Sequence, residues 1–254
     1  MRQDAAAAAL WRTAGEGAHL SFATVPGVDL RRVPEGWLTI TGEPIPDLNG
    51  GFVDRGVNDK NVLRDFVNAI RERGFGGFIL LTTAAEQRLA PLARDLGLTI
   101  AGPSPLMAYE PTEPPAPSDR YRVDVVKDRR GLDVFTDLMS RGYEVPVDSW
   151  RRLITEGSLD DPAITHLIAS SGEEPYSCGS TIQTGSSVGI WNMATPPEHQ
   201  GKGAGRALLL YALRSQMMRG SQLFYLLASE AGRHLYQQVG FRTLDEATAW
   251  LIEP

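Results

Sequence analysis

The stretch from Ile190 to Leu209, IWNMATPPEHQGKGAGRALL, constrains this chain more than any other. An apolar, strand-like run ends at Pro196-Pro197, passes through Gly201, Gly203 and Gly205, and opens directly into a helical pattern at Ala207, Leu208, Tyr211 and Ala212. Glycine has no Cβ, so the backbone can turn sharply with its N–H groups converging. The first turn of the following helix adds unpaired donors and a partial positive charge. Strand, glycine turn and helix in that order build an anion cradle, and a phosphate is its natural occupant.

Two phosphate-binding motifs are excluded by what the stretch lacks. A P-loop needs Ser or Thr after Gly-Lys, and Lys202 is followed by Gly203. The dinucleotide fingerprint needs a third glycine where Arg206 stands. What remains is Gln/Arg-x-x-Gly-x-Gly/Ala, met by Gln200-Gly201-Lys202-Gly203-Ala204-Gly205 after Pro197-Glu198. This resembles the acyl-CoA-binding motif of the GNAT superfamily of N-acetyltransferases.

The resemblance continues downstream. Ser221–Ala228 reads as a buried strand, Glu230–Val239 as a short helix, and Gly240 as its left-handed cap. Leu235-Tyr236-x-x-x-Gly240-Phe241 looks like the family's Leu-Tyr-x-x-x-Gly-Phe. The resemblance implies that Tyr236 is the general acid beside the thioester sulfur; a core tyrosine stacked on the sheet is the alternative. It also implies cofactor contacts from Met193, Ala194 and Thr195, from Gln200, Gly201, Lys202, Gly203, Ala204, Gly205 and Arg206, and from Ser229. Ser229 departs from the asparagine that the family often carries there.

Composition narrows the classes of partner. With 254 residues, 42% of them hydrophobic, the chain can build more than one core. Its formal net charge of −6 leaves no cationic surplus for nucleic acid or acidic membranes. Lys202 and Arg206 beside the cradle suit the phosphates of CoA, and an acidic remainder suits an amine. A lone Cys178 forms no internal disulfide and reads as a small buried hydrophobe. His19, His166, His199 and His234 lack metal-ligand spacing, so no metal is expected. The apolar run near the N-terminus is too short for a signal peptide and no spanning helix follows, which makes cytoplasmic residence the expectation.

The prolines of residues 111–119 mark a semi-rigid linker between residues 1–110 and residues 120–254. In the second part the pattern reads strand (Tyr121–Val126), helix (Arg129–Arg141), a second helix through Trp150, Leu153 and Ile154, then strands near Thr165–Ser170, Cys178–Thr184 and Val188–Thr195. Followed by helix, strand, helix and a final hairpin, this is the order implied by the α/β GNAT fold with its mixed sheet. The first part reads as a decayed copy. Leu92, Gly97, Glu110 and Pro111 match Leu235, Gly240, Glu253 and Pro254 at a constant offset of 143 residues. Asn61–Arg73 reads as a helix, Gly77–Thr82 as a strand, Glu86–Leu96 as a helix and Leu98–Tyr109 as a terminal hairpin. Residues 50–60 lack the cradle spacing and carry Asp54 and Asp59 where phosphates would be repelled. Two tandem GNAT-like domains are therefore expected, the first degenerate and the second catalytic; an independent N-terminal fold is the rival.

The implied activity is transfer of acetyl from acetyl-CoA to an amine, most simply that of a small molecule. A non-catalytic acyl-CoA sensor and a tandem transferase acting on a peptide or protein amine with another acyl donor stay open. The resemblance also implies that the strand through Met193 and Thr195 splays from its neighbour. Because strand side chains alternate, Trp191 or Asn192 would face the substrate. Glu144, Asp148 and Glu230 are the carboxylates within reach of that cleft, none singled out as the base. The loop Arg141–Trp150 offers Tyr143 and Trp150 to an apolar body, and Glu144 and Asp148 to a cation. A homodimer is compatible with the sequence.

Overall fold

The computed structural model describes residues 2–254, with side chains from Ala5 onward. Apolar residues at helical spacing, Val62, Leu63, Phe66, Val67 and Ile70, give Asp59–Arg71 one buried face, whereas short β-rich runs bounded by glycine form strands. The N-terminal half runs α1 (Arg2–Phe22), β1 (Asp29–Val33), β2 (Gly36–Ile40), β3 (Asn49–Val53), α2 (Asp59–Arg71), β4 (Gly77–Leu81), α3 (Thr83–Asp95) and β5 (Thr99–Tyr109). The C-terminal half runs β6 (Arg122–Val125), α4 (Arg129–Tyr143), α5 (Val147–Leu153), α6 (Gly157–Asp160), β7 (Ile164–Ser171), β8 (Glu174–Thr184), β9 (Ser187–Ala194), α7 (Ala204–Met217), β10 (Leu223–Leu227), α8 (Glu230–Val239) and β11 (Arg242–Ile252).

All eleven strands join one mixed sheet in the order β1-β2-β3-β4-β11-β5-β10-β9-β8-β7-β6. Each half contributes a parallel pair, β3 with β4 and β9 with β10. The two expected terminal hairpins are absent. Thr99–Tyr109 and Arg242–Ile252 are single strands of 11 residues each. Where the first hairpin was expected, at Gly102-Pro103, the strand carries a β-bulge instead: pairing passes from Gly102 opposite Ala249 to Ile100 opposite Trp250, and Ala101 is skipped. Pro103 and Pro105 are accommodated because the β10 ladder covers only Leu106–Tyr109; beyond it Ala228 N donates to the Pro105 carbonyl, which requires no N–H of the proline.

These two strands are exchanged between the halves. β11 pairs with β4 of the N-terminal half, β5 pairs with β10 of the C-terminal half, and β5 and β11 pair antiparallel with each other. Trp250 and Ile252 thereby lie in the core under α2 and α3, with Leu63, Ile70, Ile79 and Leu89. Met107 lies in the core under α7 and α8, with Leu208, Phe224 and Tyr236. The 143-residue offset relates Met107 to Trp250, so the repeat places the same strand position in the opposite core.

On the other face, α4 and α5 cover Ile168, Cys178 and Ala194. There α1 packs Leu10, Trp11 and Ala14 over Phe52, Leu80, Leu106, Tyr225 and Ala247, strands drawn from both halves. Trp11 Nε1 donates to Asp245 Oδ2 at 2.8 Å, and Arg152 of α5 grips the buried Glu43 of the β2–β3 loop with two nitrogens. That guanidinium holds the Glu43 carboxyl below the usual range against the opposing effect of burial. One buried polar chain crosses the C-terminal core: His166 bonds Ser158 Oγ through Nε2 and Ser180 Oγ through Nδ1, each at 2.8 Å.

Two outcomes are expected. Trp250→Ala removes a large C-terminal side chain from the N-terminal core and should cost ~3–5 kcal/mol. In urea the whole chain should still lose structure in one transition; an unchanged midpoint, or a separate transition for the N-terminal half, would contradict the exchange. Burial lowers the His166 pKa to about 4, against about 6.5 in an unfolded chain. The unfolded chain therefore takes up the proton first, so this contribution is complete above pH 6.5 and falls by up to ~3 kcal/mol as pH drops toward 4. His166→Gln should flatten the dependence of the urea midpoint on pH within that window, and an unaltered slope would refute the assignment.

Candidate active site at the parted strands

The site begins with a fault in β9. Pairing with β8 passes from Ser180 opposite Trp191 to Cys178 opposite Ala194, so Asn192 and Met193 together oppose Gly179. Asn192 adopts φ 55°, a left-handed conformation that asparagine tolerates better than most residues. A Cβ on Gly179 would lie 2.6 Å from Met193 Sδ, so only glycine leaves room for the inward-turned methionine. A bulge bends its strand. β9 and β10 are paired only through Leu223–Tyr225 opposite Ser187–Gly189, and beyond that point Ile190–Ala194 and Leu226–Leu227 have no ladder between them.

The bulge also breaks the expected alternation of Trp191 and Asn192. Trp191 lies half-buried beneath α1, where a Cβ on Gly17 would come within 3.2 Å of its ring. Asn192 Nδ2 approaches Ser180 Oγ at 3.4 Å, at the end of the His166 chain.

β9 ends in the glycine-rich loop. Gln200 Nε2 reaches back to the Thr195 carbonyl at 3.0 Å, while Ser177 Oγ donates to the Ala194 carbonyl at 2.9 Å and contacts Thr195 Oγ1. Gly201 and Gly203 have φ 71° and 90°, and the latter caps α7. The first bond of α7 runs from Ala207 N to Gly203 O at 3.0 Å, which leaves the N–H groups of Ala204, Gly205 and Arg206 ahead of the helical ladder. Among the described residues, the amides of Gly201–Arg206 donate to no protein acceptor. A Cβ on Gly201 or Gly203 would meet nothing within 4 Å, so the loop is open to solvent. Gln200, Lys202 and Arg206 are exposed, Gly205 is half-buried and Ala204 is buried.

Aromatic side chains fix the loop from behind. Tyr121 Oη donates to the Lys202 carbonyl at 2.8 Å, and the Lys202 ammonium lies 5.7 Å from the centre of the Tyr176 ring. His199 is buried with its ring 4.2 Å from that of Tyr176. In front, Glu198 pairs with Arg141 at the end of α4, and this partner holds its carboxyl below the ordinary value.

Tyr236 rises from α8 into the core under the parted strands, edge-on to Phe241 at 6.0 Å. Burial raises its phenol to about 12. Tyr143 at the end of α4 is 46% exposed overall, yet its hydroxyl turns inward and donates to the Met193 carbonyl at 3.1 Å. Burial of that end, with Tyr236 nearby, pushes its pKa upward. Gly142 brings the α4 end against β9, since a Cβ there would lie 2.9 Å from Ala194 Cβ. Ser229 is exposed and caps α8, accepting from Gly232 N at 3.2 Å. Glu144, Asp148 and Glu230 are exposed, and Asp148 pairs with Arg151 at 3.5 Å. Cys178 is buried, and desolvation drives its thiol pKa upward.

The corresponding place in the N-terminal half is closed. β3 and β4 pair from Gly50 opposite Phe78 to Val53 opposite Leu81, and Thr82 N extends the contact to the Val53 carbonyl. In the following loop, Asp59 Oδ2 accepts from Gly56 N at 3.3 Å and Glu35 Oε1 from Asn58 N at 3.1 Å. Two carboxylates of the protein take the donors that an anion would need. Among the described residues no cluster of His, Cys, Asp or Glu could hold a metal, and no helix is long and apolar enough to cross a membrane.

Sequence reasoning missed the bulge, the Tyr143 bond and the part of α1. Asn192 carries no local mark of a left-handed backbone, and the α1 contacts depend on strands far along the chain.

This geometry agrees with comparisons to known proteins. Residues 162–243 match the model of the acetyltransferase (GNAT) domain. Among solved structures, a GCN5-related N-acetyltransferase from Kribbella flavida superposes with a TM-score of 0.69 at 15% identity, covering 94% of each chain. A GCN5-related N-acetyltransferase from Sphaerobacter thermophilus gives 0.67 at 15% identity over 87% of this chain and 78% of that one. A tandem GNAT protein from the clavulanic acid biosynthesis pathway gives 0.60 at 14% identity over 94% of both. No curated protein matches the sequence. Residues 162–243 thus match an acetyltransferase (GNAT) domain, and the chain as a whole has a fold that solved structures, one of them a tandem GNAT protein, share along nearly its whole length.

Proposed function

We propose that the C-terminal half transfers acetyl from acetyl-CoA to the amine of a small molecule, and that the N-terminal half is a degenerate, non-binding copy joined through residues 111–119. The observation that carries this reading is the row of acceptor-free amides at Gly201–Arg206, standing open beside a sheet that parts between β9 and β10. The fit to a diphosphate is chemical: converging N–H groups, a helix start and the flanking cations Lys202 and Arg206. Met193, Ala194 and Thr195 would line the arm of the cofactor as it enters the gap, with Gln200 and Ser229 at its rim.

Acetyl-CoA supplies an activated thioester whose departing sulfur must take a proton. Tyr236 Oη holds that proton: with its pKa raised to about 12 by burial, the phenol stays protonated throughout the neutral range. Tyr143 and Trp150, their rings 5.6 Å apart, offer an apolar wall at the cleft, and the exposed Glu144 adds a negative charge suited to an amine. This supports a small amine over a protein one, and cytoplasmic residence suits the cofactor.

A second reading, a sensor that binds acyl-CoA without turnover, is favoured by one observation: Ser229 Oγ is committed to capping α8.

Isothermal titration should show acetyl-CoA binding that weakens at least ~10-fold in Gln200→Ala/Gly203→Asp, which removes both the left-handed glycine and the anion-accepting helix start. Absence of wild-type binding, or an unchanged affinity in the double variant, would end the proposal. With an amine panel, thiol release should fall ~10²–10⁴-fold in Tyr236→Phe, the range for a lost general acid. The wild-type rate should show no alkaline limb due to this phenol below about pH 10. Steady binding without thiol release would favour the sensor.

A further inference from the structure

Ser158, His166, Ser180 and Asn192 form one chain of side chains whose hydrogens can be placed by counting. Ser158 Oγ lies 2.6 Å from the Thr155 carbonyl oxygen. Two oxygens that close need a proton between them, and a carbonyl has none to give, so the single hydroxyl proton of Ser158 goes to Thr155. His166 Nε2, 2.8 Å from the same Ser158 Oγ, is then the donor of that bond. Burial lowers the His166 pKa to about 4, so at neutral pH the ring carries one proton and Nδ1 is bare. Nδ1 therefore accepts the hydroxyl of Ser180 at 2.8 Å. With the Ser180 proton spent, the 3.4 Å contact of Ser180 Oγ with Asn192 is satisfied only by the amide nitrogen, Nδ2.

The order is fixed because the chain is dry. Ser158, His166 and Ser180 are each no more than 3% exposed, and Phe135 of α4 covers the imidazole with ring centres 4.8 Å apart. Reversing the Asn192 amide would set Oδ1 against a serine oxygen with no proton to share. Nδ2 is thus held inward and Oδ1 is turned outward.

Outward is the gap between the parted strands. Asn192 is half-buried in the bulge where β9 leaves β10, and the carbonyl of the next residue, Met193, binds Tyr143 Oη of the cleft wall. Among the described residues Oδ1 accepts from no protein donor, and unlike Trp191 Nε1 it is not sealed from solvent. An acceptor of fixed orientation therefore stands open beside the proposed position of the thioester.

We infer that Asn192 Oδ1 receives the attacking nitrogen, with Ser180 and His166 as positioning residues, and that the acceptor is a primary amine. This rests on the proposed acetyl transfer. As the nitrogen lone pair forms the C–N bond and the C–S bond breaks, one N–H stays on nitrogen, bonded to Oδ1, and aims the lone pair at the carbonyl carbon. The other proton leaves for water, and the sulfur takes the proton of Tyr236, which solvent restores. A secondary amine has a single N–H and cannot keep a bond to Asn192 while giving up that proton. The chain orients the amine and does not deprotonate it, because it ends on a carbonyl and the buried imidazole is too weak a base at neutral pH.

The test reads the free protein first and turnover second. Heteronuclear NMR of the imidazole nitrogens should find His166 protonated on Nε2 and bare on Nδ1 at neutral pH; the opposite tautomer would overturn the inference whatever the activity. Thiol release is then followed with 2-phenylethylamine, whose ring suits the wall of Tyr143 and Trp150, or with the fastest amine of the panel. Asn192→Gly keeps the left-handed backbone and removes the acceptor, so kcat/KM for the amine should fall at least ~10-fold while the acetyl-CoA Kd stays within ~2-fold. Ser180→Ala should lower kcat/KM ~3–10-fold in the wild-type background and leave it unchanged in Asn192→Gly, since its part is played through that amide. The N-methyl derivative of the amine should react at least ~10-fold more slowly with the wild type. Equal losses from Ser180→Ala in both backgrounds, as a merely structural serine would give, an undiminished kcat/KM in Asn192→Gly, or equal rates for the two amines would each overturn the role of Asn192. If no amine of the panel is acetylated, the proposed function fails and this role with it, whereas the tautomer still reports how the amide is turned.

Discussion

The antiparallel pairing of β5 with β11 is the interaction on which the rest of the molecule depends. Each strand ends its own half and completes the parallel pair of the other, so neither half has a closed core by itself. Met107 and Trp250, equivalent positions of the repeat, are buried in opposite cores. The exchange sets β4 and β10 on either side of the β11–β5 pair, and α1 seals the seam by packing on strands from both sides. The N-terminal half has a mechanical part in this arrangement: without β5, the strand β10 that borders the gap between the parted strands would be a sheet edge.

Within that shared frame the halves differ in two local features. At β9 a bulge and one left-handed asparagine part the sheet, and a glycine-rich loop leaves its amides open. In the N-terminal half the parallel pair is laddered to its end, and Glu35 and Asp59 satisfy the loop amides from within. A buried carboxylate in place of a phosphate is a stable substitute, since it offers the same acceptors to the same donors. The proposed asymmetry of function follows from a bulge and two acidic side chains, on a scaffold that is otherwise repeated.

Much of this was legible in the sequence because the signals were local. The order of strand, Pro-Pro, three glycines and helix located the loop and the start of α7. The period of α2, the boundaries of α8 and the offset of 143 residues, which aligns β5 with β11 at both ends, also needed no tertiary information. The hairpins failed where the rule was local and the cause was not. Gly102-Pro103 has turn chemistry, but the long partner β11, whose Ala249 lies 147 residues beyond Gly102, holds the segment extended through a bulge. The unpaired face of Trp191 was unreadable for the same reason: alternation assumes a regular strand, and Asn192 breaks it. The N-terminal run was read only as too short for a signal peptide, whereas two glycines further along α1, Gly15 and Gly17, are what let the helix approach Trp37, Tyr225 and Trp191 so closely.

The most direct measurement of the central claim, that open amides in one half and not the other grip the cofactor, is hydrogen exchange with and without acetyl-CoA. The account predicts slowed exchange at residues 193–206 and unchanged exchange at residues 50–62. Protection of the N-terminal loop, or no protection at 193–206 under saturating acetyl-CoA, would contradict it.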